Sequence, residues 1–320
     1  MRRFFTELLR CGVSLICLNY AFHGVQWADL WGVLRAYPVA PVLAAVLVSF
    51  CSCSVLGLRL MYMHTPHLCF RSTFCASLVG LAVNNVLPAK AGEIAKAAWL
   101  AQPSPEPLQP RLTLDTALGL VFFERFFDVN MLSLLSLWFI IKMGQDRLAF
   151  LLVFCLASGW ALILLLRTKP GWQEHAERLP LPTGLRLFLV RFLSAVAVQL
   201  SGGRILRTTV SSLALWALYA LQMGLTLNGA ARLGLSLSDL LAVFALSNLG
   251  MLLPSSPGAL GVYEAVAVAV LTLWGVPRDQ ALAAALLDHM VQFIPVTLAG
   301  GAVWLAFPIR TKRPDSPATD

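Results

Sequence analysis

Two acid–base doublets stand out in a sequence otherwise poor in charge: Glu124-Arg125, with Asp128 close behind, and Asp288-His289. Each lies inside a long apolar run. Two more glutamates follow prolines that interrupt apolar runs. One is Glu93, in Leu87-Pro88-Ala89-Lys90-Ala91-Gly92-Glu93; the other is Glu264, six residues after Leu253-Pro254-Ser255-Ser256-Pro257-Gly258. A carboxyl group beside a base can form an ion pair, relay a proton or contact a charged head group. In apolar surroundings such a group is costly unless paired, which makes it a functional candidate by default.

The candidates fall into two sets. The first half offers Asn85, Pro88, Lys90, Gly92, Glu93, Glu124, Arg125 and Asp128. The second offers Pro254, Ser255, Ser256, Pro257, Gly258, Glu264, Asp288 and His289. The two prolines lie about half the chain apart, and each doublet follows its proline at nearly the same distance. This pattern reads as an internal duplication with a broken helix in each copy. Arg125 and His289 are the expected head-group or carboxylate contacts, with Glu124 and Asp288 as their partners. The plainer alternative is a set of ion pairs that fasten broken helices together. Ser255 and Ser256 lack a nucleophile elbow or an evident base, so they are expected to satisfy broken backbone rather than to attack a substrate.

Composition says where these residues must sit. Hydrophobic residues make up 58% of the chain and charged residues only 12%, with a mean hydropathy of +0.75. Soluble domains are about a quarter charged, so the chain reads as an integral membrane protein. The 24 Lys and Arg outnumber the 16 Asp and Glu, but they cluster in short loops beside apolar runs. That is the positive-inside pattern, and nucleic acid is not an expected partner. Most of the seven cysteines lie in hydrophobic segments as small packing residues. Cys51-Ser52-Cys53 lacks a metal or redox spacing, and His64 with His67 reads as an interfacial loop. No metal or cofactor is expected.

The expected fold class is all-α: a polytopic membrane protein with about six full spans and two broken, re-entrant helical hairpins arranged as inverted repeats. Full spans are expected near residues 6–25, 39–63, 112–141, 148–166, 208–231 and 281–307, since about 20 apolar residues cross a bilayer core. Arg59 is taken as the far end of the second. The first span resembles a secretory signal without a clear cleavage site, so it is expected to be retained. Residues 27–37 suit an interfacial turn. Short arms at 72–86 and 92–101 flank the first break, and arms at 237–253 and 261–275 flank the second. Residues 102–111 hold four prolines and read as a loop. Residues 167–207 carry seven Lys or Arg against two acids and suit a surface helix or linker. The domain plan is one transmembrane domain: an N-terminal segment 1–37, repeat one over 38–147, a span and basic linker over 148–207, repeat two over 208–309 and a disordered tail from 310. Charge placement favours cytoplasmic termini, with the two hairpins entering from opposite sides. Paired breaks at membrane depth imply a shared central cavity, because irregular backbone there needs protein or water to satisfy it.

At these motifs the sequence resembles the transmembrane flippase family of lysylphosphatidylglycerol synthases and its stand-alone relatives. The matching pieces are Asn85 through Glu93, Glu124-Arg125 with Asp128, and Leu253 through Glu264. The resemblance implies two repeats around a cavity, a membrane lipid as substrate, and a place in the bacterial cytoplasmic (inner) membrane. It also implies a link to hopanoid or other isoprenoid and glycolipid pathways, whose biosynthetic enzymes would be partners. The chain ends soon after the last span, without the synthases' soluble aminoacyl-transferase domain, so aminoacylation is not expected. His289 departs from the pattern, since the resemblance leads one to expect arginine at this position. No phosphate-binding G-x-x-x-x-G-K-[ST] motif is present. A lipid flippase or transporter therefore heads the reading, downhill or ion-coupled, with Glu93, Glu264 or Asp288 as proton carriers. A membrane-embedded head-group enzyme and a non-catalytic component of a lipid-synthesis complex are the alternatives.

Overall fold

The computed structural model describes residues 2–64, 67–87, 90–102, 112–142, 144–168, 172–173, 178, 180–252 and 255–307. Pro88, Ala89, Leu253, Pro254, most of the proline-rich loop and the tail lie outside the described residues. Among the described residues the structure is helical, with no strand.

The two halves show the same order of helix lengths. In the first half, α3 (Val39–Met63) is long, α4 (Phe70–Val86) and α5 (Gly92–Leu100) are short, and α6 (Leu114–Lys142) is long. The second half repeats this with α9 (Gly202–Gly224), α10 (Leu237–Gly250), α11 (Val262–Leu273) and α12 (Arg278–Ala306). A π-helical turn, Leu225–Ala230, extends α9. Around this frame lie α1 (Arg2–Phe22), α2 (Trp27–Arg35), α7 (Asp146–Thr168) and α8 (Thr183–Val198). Among the described residues, four helical stretches are long and apolar enough to cross a membrane: α3, Asp146–Leu165 of α7, Gly202–Ala230 and α12. The 29 residues of α6 are also long enough, at about 1.5 Å per residue, but Glu124, Arg125 and Asp128 interrupt its apolar run. At 21 residues, α1 has the length as well. Exposed leucines and phenylalanines such as Phe150 and Leu162 line α7, as lipid-facing helices require.

Packing joins the halves through their equivalent parts. The long helices α3 and α9 lie side by side, α4 packs on α12, and α6 packs on α10. Exchanging the halves exchanges the last two pairs. Apolar side chains gain little by leaving lipid for a neighbouring helix, so close approach through small residues matters more than in water. The hairpin α4–α5 depends on it: a Cβ on Gly92 would fall on the Gly80 carbonyl oxygen. A Cβ on Gly300 of α12 would likewise strike the Leu78 carbonyl of α4.

Three expectations need correction. Arg59 does not mark the end of its span; it is 2% exposed, and α3 continues to Met63. The 167–207 stretch holds a helix, as one of its two readings expects, but not one confined to the surface. Its α8 packs along α6, with Phe192 and Ala195 against Gly119, where no side chain would fit. The next span begins at Gly202 rather than near Thr208, so Arg204 and Arg207 sit in its first turns. The N-terminal segment also has a place the sequence does not reveal. Helix α1 crosses the second break, where Ser14 Oγ accepts a hydrogen bond from the Ser256 N–H at 2.8 Å.

Candidate functional site

The first break is held by α4. The Asn84 side chain accepts from the Gly92 N–H through Oδ1 at 2.8 Å and donates through Nδ2 to Glu93 Oε1 at 3.2 Å. It thereby satisfies a backbone donor that the start of α5 leaves open. Lys90, between the arms, adopts a left-handed conformation with φ 53°. Asn85 faces the other way and donates to Thr297 Oγ1 of α12 at 2.8 Å and to the Phe293 carbonyl at 3.5 Å.

Glu93 lies in the first turn of α5, and its Oε2 is 3.4 Å from Arg125 Nε. Arg125 also meets Asp128 at 3.2 Å and Glu124 at 3.8 Å. Its side chain is 37% exposed, the most open in the cluster. Glu124, fully buried, turns elsewhere: one oxygen accepts from Arg59 at 2.9 Å, the other from Lys96 at 2.5 Å. Arg59 extends the cluster to Asp128, at 2.7 and 3.1 Å, and to Ser212 of α9 at 2.9 Å. Arg59, Lys96 and Arg125 thus oppose Glu93, Glu124 and Asp128. Such balance is what burying this much charge demands.

The second break follows the same plan with different groups. Pro257 opens a short 3-10 turn, Pro257–Ala259, in which Gly258 has φ 66°. A side chain at Gly258 would collide with the Phe293 ring and come within 3.3 Å of the Asn85 carbonyl. The end of α4 therefore lies against the second break. Ser256 Oγ donates to the Leu260 carbonyl at 3.2 Å, within the break itself. Ser255 is half-buried beside it.

Glu264 lies in the first turn of α11. Its Oε2 accepts from the Gly261 N–H at 2.8 Å, and its Oε1 is 2.6 Å from His289 Nδ1. The opposite ring nitrogen, Nε2, is 3.0 Å from the Gly258 carbonyl oxygen. Asp288, fully buried, faces away from His289. It accepts from Thr226 at 2.5 Å, Gln292 at 2.8 Å, Gln222 at 3.3 Å and the Tyr263 hydroxyl.

The expected partnerships are therefore redrawn. Glu124 is not the main partner of Arg125, nor is Asp288 that of His289. Consecutive residues on a helix point about 100° apart, so each doublet serves two neighbours. The acid turns mainly to buried polar groups of other helices; His289 turns to Glu264, and Arg125 to Glu93 and, slightly closer, to Asp128. Pro88 and Pro254 lie outside the described residues. Sequence reading left Arg59, Lys96, Tyr263, Gln222 and Thr226 out of the site. Lys96 had a signal, a cation in a short apolar arm. The neutral residues had none, because a membrane helix carries such groups for many reasons.

The space at the site is small. Leu56, Ser77, Gly80, Leu81, Asn84, Glu93, Lys96 and Arg125 enclose about 10 Å³, room for about one water. This space between α3, α4, α5 and α6 is too small for a lipid. A wider, open groove of about 400 Å³ lies elsewhere, lined by Ile16, Asn19, Tyr20, His23 and Arg278. It contains none of the expected site residues.

Residues 8–300 match the family described as the lysylphosphatidylglycerol synthase TM region. No curated protein gives a significant match.

Proposed function

The chain belongs to the family of the lysylphosphatidylglycerol synthase transmembrane region, a membrane domain of lipid-related function, and from that premise we propose that it moves an anionic or polyprenyl-type lipid between leaflets. The observation that supports this most is the pairing of each break's glutamate with a base from the next long helix. Glu93 stands beside Arg125, about a third exposed, and Glu264 beside His289. A planar guanidinium that is partly open and held by a carboxylate can exchange that carboxylate for a phosphate or carboxylate head group. The halves would part to admit it, since the space beside Glu93 and Arg125 is about the size of one water. One repeat rocking against the other around a fixed site is the usual way such folds alternate access. The protein would lie in the bacterial inner membrane with both termini cytoplasmic.

The test is leaflet exchange of head-group-labelled lipids in vesicles containing the purified protein, with Arg125→Ala and Glu264→Gln beside wild type. Wild type is expected to exchange at least one anionic lipid, and both variants to lose most of that activity. Exchange that is absent across anionic and polyprenyl lipids, or untouched by both substitutions, sinks the proposal.

A second reading draws on the charge balance of the first site, where three cations cancel three acids without any ligand. A network that neutralises itself suits a non-catalytic component of a lipid-synthesis complex. That reading expects no exchange, with both variants losing stability instead. Formation of a modified lipid without exchange would favour a head-group enzyme.

A further inference from the structure

The halves place matching elements around their breaks but not matching charges. Glu93 and Glu264 each occupy the first turn after a break, and Arg125 and His289 each sit on the long helix that follows. There the likeness stops. Where α3 carries Arg59, the matching step of α9 carries Gln222; where α5 carries Lys96, α11 carries Ala267. Three basic side chains serve three acids in the first half. In the second, among the described residues, His289 is the one base beside Glu264 and Asp288.

His289 also faces hydrogen-bond acceptors on both sides, Glu264 Oε1 at 2.6 Å and the Gly258 carbonyl at 3.0 Å. A neutral imidazole has one N–H and one lone pair, so it can satisfy only one of them. Glu264 Oε2 is itself an acceptor, taking the Gly261 N–H, as an ionised carboxylate would. The arrangement is complete when His289 carries both protons.

We propose that Glu264 and His289 form a proton-binding clasp on the second break, and that H⁺ is the ion coupled to lipid movement, the coupling resting on the transport reading above. Loading takes one proton from water onto His289 Nε2, giving an imidazolium that donates to Glu264 and to Gly258. Unloading returns that proton to water and changes no other covalent bond. The Nε2 lone pair then faces the Gly258 carbonyl oxygen, and the break is released. Because Gly258 lies against the Asn85 carbonyl, release at the second break alters the contact with α4 that leads into the first. Among the described residues, the titratable groups that contact or adjoin His289 are Glu264 and Tyr263 on α11 and Asp288 on its own helix. The contacts that α3, α4, α9 and the π turn make with this region are neutral: Ser49, Asn85, Gln222 and Thr226. From α2, Leu30, Val33 and Leu34 join the apolar core packed on α12.

The clasp can be read without any lipid assay. Amide exchange over residues 255–264 would be followed in the full chain in lipid nanodiscs, from about pH 5 to 8, where imidazoles exchange protons. His289→Arg, a permanent cation with donors for both partners, runs alongside to remove the intrinsic pH dependence of exchange. Relative to that variant, wild-type protection is expected to fall roughly tenfold as pH rises, the effect of losing one charge-assisted hydrogen bond. Nitrogen-15 resonances of His289 in wild type give a second reading that does not depend on the variant folding. A doubly protonated ring is expected at low pH, with Nε2 deprotonated at high pH. Flat protection, an equal fall in His289→Arg, or a singly protonated ring throughout would overturn the clasp. Lipid exchange under a pH gradient is measured separately. A working clasp without lipid exchange overturns only the transport reading, while exchange that ignores the gradient overturns H⁺ as the coupled ion.

Discussion

Replacing Arg59 with methionine tests whether the first site is one electrostatic unit. Methionine keeps much of the length of the side chain and removes its charge. The substitution deletes contacts of 2.9 Å to Glu124, 2.7 and 3.1 Å to Asp128, and 2.9 Å to Ser212. It also leaves two cations for three acids where Glu124 has no exposure. Removing one partner from a buried ion pair costs about 3 to 5 kcal/mol, much of it the penalty of the charge left behind. Glu124 keeps Lys96 at 2.5 Å, and Asp128 keeps Arg125 and is 14% exposed, so the lower end, about 3 kcal/mol, is expected. Adding Asp128→Asn restores the balance and should recover about half of the loss or more, a coupling within the usual range for residues in one network. Reversible unfolding in mixed micelles, with both single variants and the double, measures the cycle. An Arg59→Met protein as stable as wild type would refute the argument, as would a double variant whose loss equals the sum of the two singles.

Three further outcomes follow from packing, hydrogen bonding and charge placement. Gly92→Ala puts a methyl group on the Gly80 carbonyl, and Gly300→Ala puts one on that of Leu78. Each should lower stability in a thermal melt by about 1 to 3 kcal/mol, whereas Gly301→Ala, with open space around it, should not. Tyr263→Phe removes one of the four donors to fully buried Asp288; a loss of about 1 to 3 kcal/mol in the same melt is expected, and an unchanged melt would show that Asp288 does not depend on that hydroxyl. A cysteine at Ser201, exposed between α8 and α9 in the basic region, should react with an impermeant thiol reagent only from the cytoplasmic side if the positive-inside reading holds; reaction from outside would reverse the proposed orientation.

Periodic apolar runs and their interruptions were enough to place nearly every helix. Residues 39–63 were expected as a span and form α3, and the arms around both breaks form α4, α5, α10 and α11 close to their expected bounds. In a bilayer, length and hydropathy alone decide whether a segment can cross, and both can be read along the chain. The exceptions came where a charge was taken to mark an edge. Arg59 reads as the far end of a span and Arg204 and Arg207 as preceding one, yet Arg59 is buried inside α3 and the other two lie in the first turns of α9. The sequence shows that a residue is charged but not whether another helix brings its partner.

Partner choice is what only the tertiary structure decided. The sequence by itself determined that each half carries a glutamate after its break and an acid–base doublet on the next long helix. It could not tell that Arg125 turns to Glu93 and His289 to Glu264, while Glu124 and Asp288 face helices from elsewhere in the chain. Those pairings depend on the rotation of each helix about its axis and on which neighbour packs against it, through contacts such as Gly92 on Gly80 and Gly300 on Leu78. The difference between the halves, which among the described residues is three basic side chains for three acids in one site and a single histidine beside two acids in the other, became visible only once those rotations were fixed.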